Sequence, residues 1–127
     1  MEPKIFAEED CGNSPRRLML KELNISFARG DAENILSHVT NDIAWESVGG
    51  KQLVGIENVR GELETLTEMQ VAELKIENII THGKAASANG MMRMKNGKKY
   101  AFCDVYLFNN SSKNAKIKMI RSYCIEV

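Results

Sequence analysis

The sequence predicts an α+β domain, with three helices in the first 70 residues and an antiparallel sheet in the rest. Three observations carry this reading. Apolar residues recur at helical spacing until just before Val71, where the period changes to two. Asn96-Gly97, the strongest short hairpin signal in the chain, lies between two alternating runs. Helices followed by hairpin-connected strands make an α+β layer arrangement rather than a βαβ one.

Residues 1–13 read as an N-terminal tail or loose helix, with Ile5 and Phe6 pinning it to a single domain over 14–127. Ser14-Pro15 opens the first helix, Ser as N-cap and Pro at the first helical position. Met19, Leu20, Leu23 and Phe27 form its core stripe, while Arg16, Arg17, Lys21 and Glu22 face water. Gly30 suits the left-handed residue after a helix, and Asp31 caps the next one. Ile35, Leu36 and Val39 give the second helix its apolar face, His38 ends it, and Asn41-Asp42 breaks it. Ile43, Trp45 and Ser47 alternate along a strand over 42–48, and Gly49-Gly50 turns the chain. The third helix runs from Ile56 to Met69 with Ile56, Val59, Leu63 and Leu66 on one face. Gly61 within it predicts close packing or a bend, since glycine costs about 1 kcal/mol against alanine in a helix interior.

Four strands follow. The first ends at the turn His82-Gly83, and the second alternates through Ala86, Ala88, Gly90, Met92 and Met94. The third runs from Tyr100 to Phe108 and the last from Ala115 to Glu126.

Composition bounds function. A chain of 127 residues, 43% hydrophobic and 27% charged, is one ordinary soluble domain. No apolar run reaches membrane-spanning length, and MEPKIFAEED lacks a signal peptide's pattern, so the expected location is the cytoplasm. Cys11, Cys103 and Cys124 make neither a disulfide framework nor a zinc spacing, and the two in strands read as buried free thiols. No metal or other cofactor is implied. Residues 1–70 carry 13 acidic and 7 basic side chains, and residues 71–127 carry 4 and 10. The basic half lacks the clustered arginines and stacking aromatics of a nucleic-acid surface, so its charge is read as attraction between helices and sheet.

Asp104 is the first candidate for chemistry, an isolated carboxylate in YAFCDVYLF. Strand parity puts Phe102, Asp104, Tyr106 and Phe108 on one face and Ala101, Cys103, Val105 and Leu107 on the other. Large aromatics broken by one carboxylate and one phenol suit a cavity wall. The small aliphatic face suits flat packing against a second sheet. Facing inward, Asp104 is desolvated and becomes an acid or base. Facing outward, it is solvated or pairs with Arg121 or Arg93. His82 reads as an exposed turn residue and His38 as structural, although a His82–Asp104 pair remains open. Trp45 and Ser47 share a face; in the last strand Ser122 and Cys124 share one face, Arg121 and Tyr123 the other. Met91, Met92, Met94 and Met119 suit either an adaptable apolar wall or plain core.

The order of Phe27, Gly30-Asp31, Asp42, Trp45 and Gly55, with long strands ending in KIKMIRSYCIEV, resembles the nuclear-transport-factor-two-like family, also called SnoaL-like. The resemblance covers roughly residues 14–127. It implies a strongly curved sheet wrapped over the helices as a cone, with a pocket between the first helix and the concave face. The pocket set it implies is Trp45, Ser47, Phe102, Asp104, Tyr106, Ser122 and Cys124. It also implies dimerisation through the outer sheet face. The family's ketosteroid isomerase chemistry does not carry over. Its hydroxyl donor falls at Leu23, its base at Ser47, and only its pocket acid meets a polar residue, Tyr106. Cyclase- or dehydratase-type proton transfer by Asp104 remains open. The expectation is therefore a protein binding a small apolar or amphipathic molecule, with acid–base activity as one form of it. The alternative is a non-catalytic dimeric scaffold whose cone is filled with Met, Phe and Leu.

Overall fold

The computed structural model describes residues 2–7, 14–66 and 70–127. The elements in chain order are β1 (Lys4–Phe6), α1 (Pro15–Arg29), α2 (Ala32–Leu36), β2 (Val39–Ser47), β3 (Gln52–Val54), α3 (Ile56–Leu66), β4 (Val71–His82), β5 (Ala85–Met94), β6 (Lys99–Phe108) and β7 (Ile117–Glu126). The seven strands form one curved, unclosed sheet in the order β1-β4-β5-β6-β7-β2-β3. The α+β class with three helices is therefore as the sequence predicts.

Local chemistry sets the helix ends. The Ser14 side chain accepts from the Arg17 amide at 3.2 Å, and Gly30 closes α1 in the left-handed region at φ 76°. The Asp31 carboxylate accepts from the Asn34 amide at 3.2 Å and starts α2. That helix ends at Leu36, capped by Ser37, so Val39, Asn41 and Asp42 belong to β2 rather than to a helix and its break. The β-branched Val39, Thr40 and Ile43 favour the strand. Met69, where the third helix was expected to end, lies outside the described residues. A Cβ added at Gly61 would meet nothing within 4 Å, so this glycine serves no close packing.

Two expectations about the sheet change. The tail contributes a strand, β1, whose Ile5 packs into the core beside Leu74 and Ile76. The pairings β1–β4 and β2–β7 are parallel, whereas the four strands β4 to β7 pair antiparallel throughout. Hairpins force antiparallel neighbours, but strands that reach each other through helices return in either direction. The first helix departs from expectation at Arg16. Its guanidinium donates to the Gly83 carbonyl at 2.6 Å and the Ser112 carbonyl at 2.7 Å, and lies 4.0 Å from the Phe108 ring centroid. It ties two hairpin turns to α1 instead of facing water.

The sheet bends where β4 loses register with β5, between Ile76 and Asn78. Gly90 sits opposite Ile76, and a Cβ there would lie 1.9 Å from the Lys75 carbonyl oxygen. Only glycine permits that backbone approach. Two apolar clusters make up the core. One gathers Leu20, Ile43, Leu63, Tyr106 and Phe108, and the other Val71, Leu74, Met94 and Phe102. Asp104 stands on β6, the middle strand, between the Tyr106 of one cluster and the Phe102 of the other.

Candidate functional site

A cavity of about 580 Å³ opens between α1, α3 and the concave sheet face, within the range of small-molecule sites. All seven pocket residues expected from the sequence line it: Trp45, Ser47, Phe102, Asp104, Tyr106, Ser122 and Cys124. Strand register explains the grouping. Asp104 lies opposite Ala88 on one side and Ser122 on the other, and Ser122 lies opposite Ser47 of β2. Depth differs along this row. Tyr106 is 1% exposed and deep in the cone, whereas Ser47 and Cys124 are exposed at its mouth. Cys124 is thus not the buried thiol expected; Cys103, on the other face of the sheet, is half-buried. Of the sheet methionines, Met92 and Met94 line the cavity.

Around Asp104 the polar groups form a directed chain. The Trp45 indole N–H donates to Ser122 Oγ at 3.0 Å, and the Ser122 hydroxyl donates to Asp104. From the other side, Asn24 Nδ2 donates to the Leu20 carbonyl at 2.8 Å and to the Tyr106 hydroxyl at 3.2 Å. A backbone carbonyl only accepts, so the amide nitrogen must face it, and the tyrosine oxygen receives the second amide hydrogen. The Tyr106 proton then points to Asp104 Oδ2, at a long 3.5 Å. Sequence reasoning missed Asn24. Its signal was a polar residue on the α1 core stripe, four residues after Leu20 and three before Phe27.

No cation compensates Asp104 among the described residues. Arg121 Nε instead pairs with Glu46 Oε1 at 3.0 Å, and Arg93 Nε lies 4.0 Å from Glu73 Oε2. His82 is exposed at the end of β4 and does not line the cavity, so no His82–Asp104 pair forms. Burial pushes the Asp104 carboxyl up to about 6, against a smaller downward pull from the Ser122 and Tyr106 hydrogen bonds. Burial also pushes the Tyr106 phenol well up, helped by the Asp104 charge. The same two causes, burial first, raise the Cys103 and Cys124 thiols, which makes them poor nucleophiles. The arrangement offers one inner carboxylate, largely ionised at neutral pH, in a mostly apolar cavity. The cavity mouth carries Glu2, Arg29 and Lys95, with Arg29 paired to Glu2 at 3.2 Å and Lys95 donating to Gln70 at 2.9 Å. No helix among the described residues is long and apolar enough to cross a membrane.

No curated protein matches the chain significantly. Among solved structures, an NTF-2 like protein of unknown function from Burkholderia xenovorans LB400 superposes with a TM-score of 0.75 at 17% identity, over 89% of this chain and 84% of that one. An LEH-like epoxide hydrolase of M. tuberculosis gives 0.70 at 16% identity, over 87% and 83%. The epoxide hydrolase/cyclase-like enzyme SalBIII, of pyran ring formation in polyether salinomycin, gives 0.71 at 18% identity, over 87% and 90%. At such identities the likeness is one of fold. The model of the SnoaL-like domain matches residues 21–116 of the sequence itself, and the chain belongs to the SnoaL-like family.

Proposed function

We propose that the cone binds an apolar or amphipathic small molecule and that Asp104 transfers a proton to or from it, acting as a base at neutral pH. The observation that carries this reading is the carboxylate itself. It faces a cavity of about 580 Å³, is held by two hydroxyls, and has no compensating cation among the described residues. A buried charge without a partner costs stability, and such sites are enriched where chemistry is done. A base with a pKa just below working pH is largely ionised yet still strong enough to take a proton. Two of the superposed structures, the LEH-like hydrolase and SalBIII, are described as enzymes, which supports an active cone of this shape. Isomerisation of the ketosteroid kind is disfavoured, because Ser47 replaces its base and lies exposed at the mouth. Cyclase- or dehydratase-type proton transfer is compatible with Asp104, which can take a proton from one position of a ligand and return it at another. An open cavity also favours ligand binding over a filled scaffold.

The test is a thermal-shift screen of apolar and amphipathic compounds against the wild type and Asp104→Asn, with an NMR titration of the carboxyl. Ligands are expected to lose affinity in the variant, and the carboxyl to titrate near pH 6. A variant that binds every wild-type ligand unchanged would refute the assignment.

A further inference from the structure

The donors around Asp104 are already committed. The Trp45 indole serves Ser122, the Asn24 amide serves Leu20 and Tyr106, and the Ser122 and Tyr106 hydroxyls serve Asp104. Asn24 and Tyr106 are 7% and 1% exposed, so a ligand meets little of them. Asp104 is more open. An ionised carboxylate accepts at about four lone-pair sites, and two hydroxyls leave the others unfilled. Of the other lining side chains that could donate, Tyr100 is partly buried and lies four residues along β6 from Asp104, and the rest, among them Ser47, Gln70 and Cys124, are exposed. The inner cavity therefore presents acceptor capacity and holds back its donors.

We infer that this cavity recognises an apolar ligand by a head group that donates hydrogen bonds, a hydroxyl or a protonated amine, and turns away heads that only accept them, ketones and carboxylates. The inference rests on the proposed occupancy of the cone beside Asp104 and names the head group which that reading leaves open. A ketone oxygen would face the carboxylate without a donor, and a second carboxylate would add like charge. A protonated amine gains a charge-assisted bond in a lining that includes Trp45, Phe102 and Phe27.

Four ligands with one apolar body test it: 2-naphthylmethanol, 2-naphthylmethylamine, 2-acetylnaphthalene and 2-naphthoate. Calorimetry on the whole chain at about pH 7.5, where the carboxyl is ionised, should show the alcohol and amine binding tighter than the other two by about tenfold or more, the value of one hydrogen bond to a charged group. Asp104→Asn keeps the size and adds a donor, so it should level the series. The wild type at about pH 5 gives a second measurement that needs no variant, because protonating Asp104 should shrink the amine's lead. The other titratable groups lining the cavity are Tyr106 in its depth, Tyr100 partly buried, and Cys124, Tyr123, Glu2, Arg29 and Lys95 exposed. A ketone or naphthoate that binds as tightly as the alcohol overturns the inference, as does a preference that survives in Asp104→Asn. So does failure of all four ligands to bind. If the four bind equally while Asp104→Asn still loses the ligands found by screening, the head-group rule falls and the proton-transfer reading stands.

Discussion

Asp104 and its partners show what one buried charge does to a small domain. The folded chain holds the carboxyl's proton more tightly than the unfolded chain does, at about 6 against an ordinary 3.8. Its contribution to stability is therefore full below the lower value and is lost as pH rises through the upper one. Asp104→Asn removes that loss. The variant is expected to be more stable than the wild type at about pH 7.5 and to lose its advantage at about pH 4. Paired denaturant curves at the two pH values check this, and an advantage of equal size at both would show that the charge is not what burial penalises. The face of Asp104 was legible in the sequence because β6 divides cleanly into large and small residues. Asn24 was not, because reading a helix by its apolar stripe passes over a polar residue lying on it. Nor was the exposure of Cys124 legible, since parity gives the face of a strand and not the depth along a cone.

Among the elements, α3 carries an avoidable cost. Gly61 lies inside the helix, and a methyl group there would meet nothing. Gly61→Ala is expected to stabilise the protein by about 0.5–1 kcal/mol, through helix propensity and a less flexible unfolded chain. Thermal or urea unfolding checks it, and a destabilised variant would mean that the backbone at this position needs freedom that the helix geometry does not reveal. The long elements were legible because their periods are long enough to declare themselves. The three-residue strands β1 and β3 have no period to read. The boundary between α2 and β2 was misplaced because Val39 continues the helical spacing of Ile35 and Leu36 while starting a strand. Arg16 resembled any solvated arginine, since its two carbonyl partners lie 67 and 96 residues away in the chain.

For the whole molecule, the convex face of the sheet has no layer over it among the described residues. Ala101, Cys103, Val105 and Leu107 of β6 are half-buried there, and the neighbour of Ala101 on β7, Ile125, is 66% exposed. We propose that two copies pair through this face, because apolar patches of this kind mark interfaces. Light scattering at micromolar concentration should give about twice the mass of a 14.3 kDa chain. Val105→Glu should shift the molecule toward the monomer without touching the cavity, and a wild type that is monomeric would refute the pairing. The sequence pointed to this face through parity, as it pointed to the cavity. It could not give the cavity's volume, which depends on how far the sheet bends.

That bend rests on Gly90 and the slipped register of β4, where backbone meets backbone. The curvature of the cone is thus set at a position that has no side chain. The groups that line the cavity, such as Phe102, Met92 and Ile120, are carried on a frame set elsewhere in the chain. Such a molecule can change the lining of its cavity while keeping its shape. Exchanging wall residues reshapes the cavity at the ordinary cost of a core substitution, whereas a single methyl at position 90 would deform the vessel itself.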